Sequence, residues 1–304
     1  MSPGSTACAQ LPAPPGGTLA VSVDTLVCGV HFFDDAPALS VGHKAAAVNL
    51  SDMAAMGARP LWLQAFVHGA PGQAWMAAFR DGFERLAAEH RTTPKLYEEP
   101  HSEGPVRITV AVGGNVNAAA AIRRDGAAPG DLVVVTGTLG DAGAALTLCL
   151  DGEFKDGHRD HAALLRRLEY PLPRVGAGIA AAGVASAGLD LSDGLAGDLR
   201  HLLRTGLGAR LDAERLPLSG ALRRCFPRPE ARVELALNSG DDYELCLTVR
   251  PDLLTTLQDR LVTTDTTCTV VGEVVAGAGV RVTGPGSSSL TPVGYQHFAA
   301  SKTP

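Results

Sequence analysis

Two aspartates and a serine stand within four positions at Asp190-Leu191-Ser192-Asp193, and Gly194 follows. Carboxylates this close repel each other unless a cation lies between them, and the hydroxyl adds another oxygen donor of the kind magnesium accepts. Leu189 and Leu191 alternate with Asp190 and Ser192, which is the period of a strand. A helix-period run (Leu195, Leu199, Leu202, Leu203) then continues to Gly206. The group is therefore expected where a strand ends and a helix begins, and backbone N–H groups at such a junction favour oxygen anions. Metal plus phosphate satisfies both demands.

Three further acidic groups occupy comparable places: Ser22-Val23-Asp24-Thr25, Ser51-Asp52 and Asp241-Asp242. Asn49, Asp52 and Met56 fall on one face of a helix expected from Val41 to Met56. An Asp inside an Ala/Val/Leu/Met helix is a candidate ligand, and equally a solvated or N–H-bonded carboxylate. An Asp-Gly or Asp-Asp turn, taken alone, is more often a cap or turn former than a ligand. The chain has no Gly-Lys-Ser/Thr loop and no kinase-type Gly-rich loop. Any nucleotide phosphates must then be held by metals on these carboxylates, by backbone N–H groups and by arginine.

The elements that position these residues alternate between helix and strand, which indicates an α/β or α+β protein. Strands are expected at 19–27, 61–67, 106–112 (stopping at Gly113-Gly114), 132–136, 243–249, 269–275 and near 280. Helices are expected at 41–56, 73–90, 141–150, 175–183 and 251–262. Trp75, Met76, Phe79, Phe83 and Leu86 form an apolar stripe that reads as core. Residues 1–17 and 91–105 read as irregular, and 151–162 as a charged loop. A turn at Ala127-Ala128-Pro129-Gly130-Asp131 divides the chain into domains 1–127 and 128–304.

Composition sets outer bounds. The 304 residues suffice for two ordinary domains, and 45% apolar with 19% charged residues is ordinary for a globular protein. A net charge of −6 argues against sequence-independent nucleic-acid binding, which needs a basic face. The six cysteines carry no Cys-x-x-Cys or zinc-like spacing and read as mostly buried thiols in a reducing compartment. Neither a signal peptide nor a membrane span is evident, so a cytoplasmic protein is expected.

Six blocks occur in the order and spacing of one family: 21–32 (VSVDTLVCGVHF), 42–60 (GHKAAAVNLSDMAAMGARP), 129–146 (PGDLVVVTGTLGDAGAAL), 189–199 (LDLSDGLAGDL), 241–249 (DDYELCLTV) and 294–298 (GYQHF). Together, from about Thr18 to Phe298, they resemble the thiamine-monophosphate kinases of the aminoimidazole ribonucleotide synthetase superfamily. The resemblance implies two α/β domains, with N-terminal sheets of two subunits joined in a homodimer. It implies that ATP phosphorylates thiamine monophosphate to thiamine diphosphate with several Mg²⁺ ions. By position, Asp24, Asp52, Asp190 and Asp193 match metal ligands, with Ser22 assisting and Asp193 also catalytic. Arg124 and Ser192 match nucleotide contacts, and Glu99 is the nearest candidate for a third. His31, Asp241 and Tyr295 match positions lining the thiamine monophosphate site.

The match departs at three places. Ser5-Thr6-Ala7 stands where the family carries Gly-Asp-Asp, and Glu98-Glu99-Pro100-His101 where it carries Gly-Gly-Asp-Thr. Two glycines let backbone N–H groups approach phosphate, whereas Glu98-Glu99-Pro100 adds bulk and negative charge and removes an N–H. Asn238-Ser239-Gly240 replaces the usual Ser-Gly-Gly. These changes leave an alternative open: a catalytically impaired relative that still binds nucleotide or thiamine phosphate.

Overall fold

The structure is a computed structural model that describes residues 16–99 and 103–285. The first half contains β1 (Thr18–Val27), α1 (Ala38–Ala55), β2 (Arg59–His68), α2 (Gln73–Glu89), β3 (Thr93–Glu98) and β4 (Arg107–Val116). Its strands form a four-stranded sheet in the order β1-β4-β2-β3. Among the described residues, helices cover only one face of this sheet, through α1 and α2. Side chains therefore alternate. Ala20 and Leu26 of β1 point into the core, while Leu19, Val21 and Val23 lie exposed on the open face.

Helix α1 is apolar on nearly every side and correspondingly buried on nearly every side. It reaches α2 through reciprocal glycines: a Cβ on Gly42 would stand 2.0 Å from the Phe79 carbonyl oxygen, and one on Gly82 2.0 Å from that of Leu39. Any larger residue would push the helices apart.

The second half contains β5 (Leu132–Thr136), α3 (Asp141–Leu150), α4 (Arg159–Glu169), α5 (Val175–Ala181), β6 (Ala187–Asp190), α6 (Leu195–Asp198), β7 (Leu207–Asp212), α7 (Gly220–Cys225), α8 (Pro229–Asn238), β8 (Leu245–Val249), α9 (Leu254–Val262), β9 (Cys268–Ala276) and β10 (Gly279–Thr283). The strands form a six-stranded mixed sheet in the order β10-β7-β9-β5-β8-β6. Its central strands β5 and β8 are buried on both faces, which explains their unbroken apolar runs. Val134 and Leu247 face a core shared with α1, α5 and α9, whereas Val133, Val135 and Cys246 face α6 and α8. Through that shared core α1 lies between the two sheets and touches β6. A third, smaller core joins α3, α4 and α7.

Several expectations from the sequence require correction. Strand β4 does not stop at Gly113-Gly114 but pairs with β1 as far as Val116. The glycines are there for clearance, because a Cβ on Gly113 would fall 2.1 Å from the Trp62 ring. The 91–105 segment contains an edge strand, β3, parallel to β2, and its Pro94 is tolerable because one side is unpaired. Helix α4 begins inside the expected charged loop. The helix-period run after Asp193 forms one short helix and a 3-10 turn over Leu199–Leu202, and β7 follows. Of the described cysteines only Cys246 is fully buried, and none of them forms a disulfide.

Candidate active site

Strand β1, the last turn of α1, the segment 122–125 and the end of β6 converge on a cavity of about 380 Å³ lined by Ser22, Asp52, Ile122, Arg124, Gly188 and Asp190. The backbone builds it from both sides. Ile122 donates its N–H to the Met56 carbonyl at 3.1 Å, and Gly188 donates to the Arg123 carbonyl at 3.1 Å. Arg124 is thereby fixed between α1 and β6. Four residues that the sequence placed in one site, 168 positions apart at the extremes, are brought together here.

The electrostatics of this cavity are poor for a protein on its own. Asp52 lies in the last turn of α1, where the helix dipole disfavours an anion. Burial first, then the charge of Asp190, push its carboxyl up to about 6; Asp24 pushes the same way, and Ser22 and Arg124 oppose. Ser22 Oγ donates to Asp52 Oδ2 at 2.5 Å. Burial likewise raises Asp190, with Asp24 adding to the effect and Arg124 opposing it. The buried Ser51 hydroxyl lies beside Asp190 yet makes no hydrogen bond of ordinary geometry. A cation would relieve both carboxylates and give Ser51 a partner.

Beyond β6 the chain keeps pairing with the segment before β8. Leu191 N–H donates to the Glu244 carbonyl, Tyr243 N–H to that of Leu191 and Asp241 N–H to that of Ser192, at 2.8, 2.8 and 3.0 Å. Ser192 is exposed and Asp193 half-buried. Asp193 N–H donates to Asp198 Oδ2 at 2.8 Å. Asp198 is pushed up to about 7, chiefly by burial, with the Asp193 and Asp190 charges adding to it. Asp193 therefore stands at the edge of the acidic group, paired with an aspartate the sequence reading passed over. Asp198 is four residues beyond Gly194 on a helical run, and a second carboxylate one helical turn past an Asp-Gly was the available signal.

A second cavity, about 280 Å³, opens between the loop after β1, α1, α3 and α4. His31, Lys44 and Asp241 line its polar part, and Phe33, Leu146 and Leu168 its apolar part. The buried Lys44 Nζ donates to Asp241 Oδ2 at 3.0 Å and to the His31 carbonyl at 3.2 Å. Asp241 and Tyr243 have φ of 67° and 49°, a region costly for non-glycine residues and common where function demands a fixed geometry. Asp242 between them and Glu244 just after them hold the strain in place. Asp242 accepts from Gly140 N–H at 3.0 Å, and Glu244 from Arg174, Arg167 and Thr136. Tyr243 is buried near aspartates of both groups: burial and the charges of Asp241, Asp24 and Asp190 hold its phenol far above its ordinary range. Lys44 and Tyr243 are further residues near these cavities that the sequence does not single out, and Glu244 anchors the segment behind them.

Two expected site residues are not brought in. Glu99 follows β3, at the edge of the sheet opposite β1, and its carboxylate meets His68 Nδ1 at 2.6 Å. Three strand spacings, about 14 Å, separate it from the Asp24 strand. Tyr295 lies outside the described residues, as do Ser5-Thr6-Ala7.

Known proteins share this architecture. Residues 5–140 match the family model "AIR synthase related protein, N-terminal domain", and residues 128–285 match "AIR synthase related protein, C-terminal domain". The thiamine-monophosphate kinase of Salmonella typhimurium is 41% identical over 248 residues, covering 81% of this chain and 75% of the relative. That of Haemophilus influenzae is 34% identical over 303 residues, covering 97% and 91%. The crystal structure of the Stenotrophomonas maltophilia K279a thiamine-monophosphate kinase superposes with a TM-score of 0.83 at 39% identity, covering 88% of this chain and 86% of that one. AaThiL complexed with AMPPCP and TMP superposes with a TM-score of 0.79 at 30% identity, covering 92% and 87%.

Proposed function

The chain belongs to the thiamine-monophosphate kinase family of AIR synthase related proteins, and from that premise we propose that it transfers a phosphoryl group from ATP to thiamine monophosphate, forming thiamine diphosphate. The carrying observation is the pairing of two cavities. One holds under-compensated carboxylates beside Arg124; the other is largely apolar, and the strained Asp241–Tyr243 segment lies between them. Joining two anionic phosphates requires positioning and charge neutralisation more than a covalent nucleophile.

Asp24, Asp52 and Asp190, with Ser22, would hold Mg²⁺ at the acidic cavity, and Asp193 beside Asp198 would complete the C-terminal part. Among the described residues no three His, Cys, Asp or Glu side chains form a finished metal cage. That suits an ion which takes one or two carboxylates and draws its remaining ligands from phosphate and water. When bound, Mg²⁺ would neutralise the phosphates and align them for in-line attack. The protein's own residues do the rest. Arg124 offers planar N–H donors to nucleotide phosphate, and the exposed Ser192 offers a hydroxyl. Lys44 holds Asp241 against the second cavity, with His31 fixed by the same ammonium through its carbonyl. Glu99 stands outside this arrangement.

Two broader features accompany the proposal. Leu19, Val21, Val23, Phe66 and Tyr97 lie exposed on the helix-free face of the first sheet, where Gln64 Nε2 is buried without a partner. We assign that face to a homodimer in which two such sheets join. We also retain domains 1–127 and 128–304, and a cytoplasmic location; among the described residues no helix is long and apolar enough to cross a membrane.

Purified protein given ATP, Mg²⁺ and thiamine monophosphate should form thiamine diphosphate only when Mg²⁺ is present. Absence of product, together with Mg²⁺-dependent nucleotide binding by calorimetry, would instead establish a binding-only relative.

A further inference from the structure

Two carboxylates line the second cavity, and they are treated differently. Asp241 is paired with Lys44 at 3.0 Å. Glu169 is half-buried beside Phe33, Leu146, Leu150 and Leu168 and has no hydrogen bond or ion pair with any described residue. Lys44 is close enough to stabilise its charge, yet that ammonium is already bonded to Asp241 and to the His31 carbonyl. Desolvation leads the shift of Glu169 upward, and Asp35 contributes further negative potential.

Its place in the chain makes the exposure of that charge to an apolar cavity harder to explain by folding. Glu169 is the last residue of α4, where the helix dipole favours cations, as the neighbouring Arg166 and Arg167 illustrate. A surface glutamate at this position would turn to water. This one lines the cavity instead, and also borders the adjoining groove around Phe154, Leu165 and Tyr170. An unsatisfied carboxylate among leucines and phenylalanines repels phosphate. It suits a flat ring that carries N–H donors or positive charge.

On the reading that the chain uses thiamine monophosphate, we propose that Glu169 is a specificity-determining residue: its carboxylate accepts a hydrogen bond from the exocyclic amino group of the substrate's pyrimidine. The apolar wall of α3 and α4 then covers the ring, and the phosphate end lies past Lys44 and Asp241 towards the acidic cavity. A site that hydrogen-bonds a substrate N–H rejects an analogue lacking it, because its own polar group is left unpaired.

The test compares wild type, Glu169→Gln and Glu169→Ala by calorimetry with Mg²⁺, using thiamine monophosphate and its 4′-oxo analogue, oxythiamine monophosphate. Wild type is expected to prefer the amino compound by at least about tenfold. Glu169→Ala should lose about tenfold in affinity for it and bind both compounds equally, with Glu169→Gln intermediate. Nucleotide affinity should stay at the wild-type value and Tm at or above it in both variants. Wild-type affinity in Glu169→Ala, or an unchanged preference, overturns the assignment while leaving the proposed function standing. Wild-type protein that binds neither compound overturns the proposed function, and this assignment falls with it.

Discussion

Two buried acidic groups, one around Glu244 and one around Asp52 and Asp190, lie a few residues apart along the same strand pair and are constructed in opposite ways. Glu244 accepts from Arg174 Nε and Nη2 at 2.6 Å and from Arg167 Nη2 and Thr136 Oγ1 at 2.7 Å. Both of its oxygens are taken, and Thr136 Oγ1 in turn accepts from Leu245 N–H. Asp52 receives one hydroxyl, and its nearest charges besides Arg124 are other aspartates. A satisfied buried charge makes a rigid node, whereas an unsatisfied one costs stability and is kept only where a ligand completes it. By this contrast Glu244 fits a scaffold role, and Asp52 and Asp190 fit the proposed metal–phosphate chemistry.

The largest effect should come from Asp190→Asn. Thiamine diphosphate formation is expected to fall at least about 1000-fold, since charge stabilisation dominates phosphoryl transfer. A fall under tenfold in a steady-state assay would place the chemistry elsewhere. Next, Glu244→Gln leaves two arginines facing a neutral amide. It should destabilise the protein by about 3 kcal/mol, read from the urea midpoint at unchanged slope. Replacing Glu244 by Leu together with Arg174 by Met should cost less than the sum of the two single changes, because one arginine is removed with its partner and only Arg167 is left unpaired.

The smallest effect concerns His43, a half-buried imidazole on α1 whose Nε2 lies 2.9 Å from the Pro171 carbonyl. Burial lowers its pKa below the ordinary 6.5, with the Pro171 bond opposing. The unfolded chain therefore binds the proton first as pH falls. The stability owed to neutral His43 is complete above 6.5 and is lost below it. His43→Gln should flatten the decline of Tm between pH 6.5 and 5 by about 1–3 °C. An unchanged decline would assign the acid sensitivity to other groups.

The sequence disclosed the acidic positions better than their surroundings. Asp24, Asp52, Asp190 and Asp193 were visible because carboxylates at strand–helix junctions break otherwise apolar runs. Arg124 required the family resemblance, since nothing local marks it; only the Ile122–Met56 and Gly188–Arg123 backbone bonds place it. Lys44 and Glu169 were invisible for a plainer reason. On a helix a lysine or glutamate is ordinarily a solvated residue, and only the tertiary fold turns these two towards a cavity. Edge strand β3 was missed because Pro94, Lys95 and Glu98 suit an exposed edge and weaken the strand pattern. Glu99 corresponds to the family's element only by its distance along the chain, and the sheet order carries it away from the acidic cavity.

The central claim is that the carboxylates of the acidic cavity are a cost to the free protein that a metal–nucleotide complex removes. Thermal melts of wild type and Asp190→Asn, each with and without Mg²⁺ and a non-hydrolysable ATP analogue at 100 times the wild-type Kd, test it directly. Without ligand the variant should melt at or above the wild-type Tm. With ligand the wild type should gain about 2.7 kcal/mol, or about 4 °C, and the variant less than about 1 °C. A variant that melts several degrees lower without ligand, or that gains as much as wild type with it, would contradict the account.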